Sequence, residues 1–105
     1  VHKINSKQRA ALHLAAVFAC NFSTHMYVIA EALIRKQGAE FSLFHPLILE
    51  TVNKAIENGA KPSQTGPAIR GDKKIIRKHL VMLKKDKANR KLYKLLSKSI
   101  SSTNS

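Results

Sequence analysis

The sequence predicts an all-α fold, a helical bundle built around one long buried N-terminal helix. From Ala10 to Ala30 there is no Lys, Arg, Asp or Glu, and Leu12, Leu14, Val17, Phe18, Phe22, Met26, Val28 and Ile29 fall on every side of a helical projection. A helix that is apolar all round is enclosed by other helices or lies in a membrane. Three later segments repeat apolar residues at helical spacing, and no stretch alternates with the two-residue period of a strand. The chain has 105 residues, 44% of them hydrophobic, which suits a single domain with one modest core.

The first helix is expected over residues 6–36, with Ser6 as N-cap and Arg9 where a capping-box Glu would serve better. Its length would cross a bilayer. However, His13, Asn21, Ser23, Thr24 and His25 are costly in lipid. The expectation is therefore no membrane, and a central helix enclosed by others, some from a second subunit. Gly38 ends it. A second helix spans Ser42 to Asn58, with Pro46 in its first turn and a stripe of Leu47, Ile48, Val52, Ala55 and Ile56. A loop from Ala60 to Gly71 follows. Asp72 caps a third helix that buries Ile75, Ile76, His79, Leu80 and Leu83. After a break near Asp86 to Asn89, a fourth helix repeats Leu92, Tyr93, Leu95, Leu96 and Ile100. Residues 101–105 are expected to form a frayed tail.

Charge is unevenly placed. The net charge is +13; residues 1–60 carry six Lys/Arg and four Glu, and residues 61–105 carry thirteen Lys/Arg and two Asp. Such asymmetry fits an anionic partner, or a solvated lysine surface beside a domain of opposite charge. Nucleic acid is not the expected partner, because the basic half has no aromatic stacking set, zinc finger or helix-turn-helix spacing. Cys20 is the single cysteine, so no disulfide forms within the chain, and its apolar neighbours suggest a buried, inert thiol. A lone cysteine suits a reducing compartment, and a cytoplasmic location is expected. The chain begins at Val1 with no signal-peptide pattern, which suggests a cut within a longer protein.

Candidate chemistry lies in two places. The run Gln64 to Asp72, "QTGPAIRGD", is rich for a connector. Gly66 permits close approach to a ligand, Pro67 stiffens the chain, Thr65 offers a hydroxyl, and Arg70 can grip a carboxylate or phosphate through two parallel hydrogen bonds. The alternative is a rigid connector whose Arg70 pairs with a neighbouring carboxylate and whose Asp72 only caps a helix. The embedded "RGD" has no secretory context for adhesion. The second place is the first helix, where α-helical winding puts His13, Asn21 and His25 within roughly 120° of one face. A polar row on an apolar helix lines a pocket or finds core partners, His79 among the candidates. The five histidines show neither HxxxH nor HExxH spacing, and no metal site is expected.

The blocks "RAALHLAAVFACNF", "PLILETVNKA", "TGPAIRGD", "HLVMLKK" and "LYKLLS" occur in that order. Together, over about residues 6–100, they resemble an uncharacterised C-terminal helical domain of unknown function that follows a Rossmann-like NAD(P)-binding domain. Those proteins are similar to pyrroline-5-carboxylate reductase and the 6-phosphogluconate dehydrogenase C-terminal superfamily. The resemblance implies an N-terminal domain that binds NAD or NADP, and a helical domain that supplies dimer contacts and one wall of the substrate cleft. It places the "TGPAIRGD" loop at the nicotinamide end, with Thr65 and Gly66 where pyrroline-5-carboxylate reductases hold a substrate carboxylate. The paired threonines that follow in that family are missing here. In the β-hydroxyacid dehydrogenases a Lys-x-x-x-Asn sits on the matching helix. Asn21 falls at its asparagine, but Val17 occupies the lysine position, and His13 is the nearest titratable substitute.

The reading is thus the substrate-side and dimerisation domain of an NAD(P)-dependent oxidoreductase for a small anionic substrate. His13 and Asn21 would be catalytic, and Thr65, Gly66, Pro67, Arg70 and His25 would bind substrate. The fragment lacks G-x-G-x-x-G and is expected neither to hold the cofactor nor to catalyse alone. The alternatives are a non-catalytic helical dimerisation or scaffold module, and a basic nucleic-acid-binding module.

Overall fold

The computed structural model describes residues 3–103, and every regular element among them is helical, as the periodicities predict. The chain divides into two compact units, Val1–Ile48 and Leu49–Ser105.

In the first unit, α1 (Ser6–Ala16), a π-helical segment (Val17–Phe22) and α2 (Ser23–Arg35) form one continuous helix of 30 residues. Its N-cap is Asn5, not the expected Ser6. The Asn5 side chain accepts from the Gln8 N–H at 2.8 Å, and Gln8 Oε1 accepts from the Asn5 N–H at 3.0 Å. Gln8 completes this reciprocal box; Arg9, three after Ser6, could not, because guanidinium has no acceptor. At the far end Gly38 has φ +74°, and the Ala39 N–H reaches back to the Ile34 carbonyl at 3.3 Å. A 3-10 turn, Phe41–Phe44, then lies on α2. The Phe41 ring is 6.3 Å from Tyr27, 6.2 Å from Phe44 and 5.8 Å from His45.

The long helix keeps its apolar surface in the open. Leu12, Phe18 and Val28 are more than half exposed, and no residue of the helix is buried. The expected enclosure is therefore not supplied by the other described residues of this unit. Cys20, expected to be buried, is exposed for the same reason. By length and composition this helix could cross a membrane, with a mean hydropathy of 1.3 in its most apolar 18-residue window.

The helix α3 (His45–Asn58) contains the boundary between the units, with Pro46 in its first turn as expected. Within the second unit, Ser63 Oγ lies 2.8 Å from the Gly59 carbonyl and 3.1 Å from that of Lys54, closing the 3-10 turn Lys61–Ser63 onto the end of α3. Three helices follow: α4 (Pro67–Arg70), α5 (Lys73–Met82) and α6 (Lys87–Thr103). The short α4 touches both others. Ala68 on it is the only buried residue among those described, and Ser101 Oγ donates to its carbonyl at 3.3 Å. Asp86 caps α6 by accepting from the Asn89 N–H at 3.2 Å, so the helix starts inside the break expected near Asp86 to Asn89. It continues to Thr103, so residues 101–103 are helical rather than frayed; Asn104 and Ser105 lie outside the described residues.

Candidate functional site

The loop "QTGPAIRGD" is held by its own backbone. Gly66 has φ +104° and ψ 173°, a conformation essentially closed to residues with a Cβ. A Cβ built there would meet nothing within 4 Å, so glycine is needed for the backbone path and not for close packing. Pro67 opens α4 at a position where its missing N–H costs nothing. Gly71, left-handed at φ +67°, closes it, and the Asp72 N–H bonds the Pro67 carbonyl at 2.9 Å. Asp72 then caps α5, accepting from the Ile75 N–H at 3.2 Å. Its other oxygen lies 3.9 Å from Arg70 Nη2, too far for a direct hydrogen bond. Both ends of that ion pair are solvated, so it contributes little.

The loop therefore presents an exposed guanidinium and the exposed Thr65 from a stiff backbone. Arginine stays charged at any working pH and cannot relay a proton. Asp72 is engaged as a cap. This arrangement can hold a carboxylate or phosphate, while any proton transfer must come from elsewhere.

His13, Asn21 and His25 all lie on the exposed long helix of the first unit: His13 on α1, Asn21 in the π segment and His25 on α2. The projection that put them on one face assumed unbroken α winding. A π segment bonds across five residues instead of four and rotates everything after it. Val17, the position compared with a catalytic lysine, opens that segment. The Thr24 hydroxyl donates to the Cys20 carbonyl at 2.8 Å, and Phe18 and Phe22 stack edge to face at 5.0 Å. The loop residues Thr65, Gly66, Pro67 and Arg70 belong to the other unit.

His79, a candidate partner for that polar row, is engaged elsewhere. Its Nδ1 is 2.7 Å from the Tyr93 hydroxyl, with the rings edge to face at 5.6 Å, which ties α5 to α6. Burial pushes Tyr93 above the ordinary tyrosine value of 10.0. The second tie is Arg90, whose Nε donates to the Leu80 carbonyl at 3.2 Å. Neither pairing has a sequence signal of its own, since both depend on how the turn at 83–86 sets the two helices. Among the described residues, shallow grooves lie at residues 31–41, at residues 80–94 and between residues 60–64 and 99–103. None is lined by a residue singled out from the sequence as catalytic or substrate-binding. Among the described residues no group of three or more His, Cys, Asp or Glu could hold a metal ion.

A family model described as a domain of unknown function, DUF2520, matches residues 1–100. The crystal structure of a putative NADP oxidoreductase from Bacteroides fragilis is 50% identical, with a TM-score of 0.93, over 97% of this chain. The match covers 39% of that protein's chain, so the present chain spans well under half its length. No curated protein matches.

Proposed function

The chain belongs to the DUF2520 family, and we propose that it is the substrate-side and dimerisation domain of an NADP-dependent oxidoreductase. In this reading it follows a Rossmann-type dinucleotide-binding domain in a cytoplasmic enzyme. The observation that carries it is the close likeness, in sequence and in fold, to the Bacteroides fragilis protein. This chain has no glycine-rich strand-to-helix turn to cradle a pyrophosphate, so the cofactor would be held by the rest of the intact protein. When bound there, it supplies the hydride.

The residues of this chain have narrower tasks. Arg70 and Thr65, set by the Gly66–Pro67 backbone, orient the anionic group of a small substrate, and His25 adds a polar contact. Asn21 sits near the reacting centre, and His13 moves the proton that accompanies hydride transfer, because an imidazole can both give and take one. A second copy of the chain covers the exposed face of the long helix. The span Ala10 to Ala30 has no charged side chain to repel such a partner.

The test is NADPH consumption by the intact protein with a panel of small oxo and imino acids. Arg70→Ala should raise KM by about tenfold or more, and His13→Ala should lower kcat by about a hundredfold. A protein that neither binds nor consumes NADPH would leave a scaffold domain. Full turnover in the His13 variant would remove that residue from the mechanism while keeping the enzyme. Partition of the intact protein into lipid vesicles, rather than sedimentation as a dimer, would overturn the account of the long helix.

A further inference from the structure

We propose that the cationic groove between α5 and α6 docks an acidic amphipathic helix of a partner protein. The inference goes beyond the oxidoreductase reading and does not depend on it. Lys87, Lys91 and Lys94 recur at steps of four and three on α6, which puts them on one face. With Lys84 and Arg90 they rim a groove of about 500 Å³ whose floor includes Leu80 and Val81. Arg90 is fixed in place by its bond to the Leu80 carbonyl. Among the described residues none of the five cations is in an ion pair. Asp86, the nearest carboxylate in sequence, has both oxygens engaged by Asn89, at 3.2 and 2.7 Å.

The occupant must answer two features at once. Five like charges around one groove repel one another, and an acidic ligand relieves that repulsion. The groove also leaves an apolar side chain in water, since Val81 is 62% exposed. A phosphate chain meets the charges and leaves Val81 wet. Single-stranded nucleic acid wants aromatic rings to stack on, and none lines this groove. A second copy of the chain has a net charge of +13 and only six acidic residues, so it offers little complement. A helix with leucines at three- and four-residue spacing, flanked by glutamates, satisfies the floor and the rim together.

The probe is a fluorescein-labelled peptide of glutamates and leucines at that spacing, titrated against the intact protein by anisotropy at low and physiological salt. It should bind, more weakly as salt rises. Polyglutamate of equal length should bind at least about tenfold more weakly, because it brings no apolar face. The double variant Lys87→Glu/Lys91→Glu should lose at least about tenfold in affinity. Val81→Ser should lose about threefold for the peptide and nothing for duplex DNA. Both substitutions are at exposed positions, and unchanged circular dichroism would confirm that the fold is intact. The proposal is overturned by absence of peptide binding, by polyglutamate, DNA or anionic vesicles binding as tightly as the peptide, or by a Val81 variant that binds the peptide undiminished.

Discussion

The two units of this chain differ in charge and in how their helices are tied. Residues 1–48 carry five Lys/Arg against two Glu, and residues 49–105 carry fourteen Lys/Arg against four acidic residues. In the second unit, bonds distant in sequence join the helices: His79 to Tyr93, Arg90 to Leu80, and Ser101 to Ala68. In the first, the long helix is tied back through the ring cluster around Phe41 and otherwise shows Leu12, Phe18 and Val28 to solvent. One unit carries its own connections despite its charge. The other has the composition of an interior and leaves it exposed.

Four measurements would break or sharpen that contrast. The largest effect should come from Phe18→Asp combined with Phe22→Asp, which places two charges on the uncharged face. If a second copy covers that face, the dimer dissociation constant should rise by at least about a hundredfold in sedimentation experiments. Equal association by the variant would show that the first unit needs no such partner. Next, Gly66→Ala should destabilise the second unit by about 1–3 kcal/mol in urea unfolding, through backbone strain alone. A neutral result would mean that the loop has another path available.

The two caps allow a direct comparison at smaller scale. Asp72→Ala and Asn5→Ala should each cost about 1 kcal/mol. Hydrogen exchange should show the Asp72 loss spreading through the interconnected second unit and the Asn5 loss confined to the first turns of α1. The smallest effect concerns Tyr93. Its ionisation lies above 10.0 in the folded chain, so on raising the pH the unfolded chain loses this proton first. The stabilisation is complete below pH about 10 and declines as pH rises through the folded value. An alkaline absorbance titration of wild type against Tyr93→Phe checks this, and the variant should itself lose about 1 kcal/mol with the His79 bond.

Much of the fold is legible in the sequence because amphipathic helices announce themselves by period. The third helix with its Asp72 cap, Pro46 in the first turn of α3, and Gly38 past the end of α2 all follow from residue chemistry. What escaped has no such signal. The π segment Val17–Phe22 has the composition of any apolar helix, and it changes the angles between His13, Asn21 and His25 from those of plain α winding. The four-residue α4 is too short to show a period. The cap falls on Asn5, one residue before Ser6, because two good capping residues stand side by side and only Gln8 decides between them. In the loop, Gly66 and Pro67 mark an unusual backbone path, but the solvated geometry of Arg70 with Asp72 is a matter of ångströms that spacing does not carry.

That Ala68 alone is buried among the described residues has a calorimetric consequence. The heat-capacity step of unfolding scales with the apolar area newly hydrated. A separated chain has less such area to expose than a closed core of the same length, so its step should be small for its size and its melting transition broad. In a chain that associates through its long helix, the missing heat capacity should reappear with assembly, and the melting midpoint should climb with protein concentration.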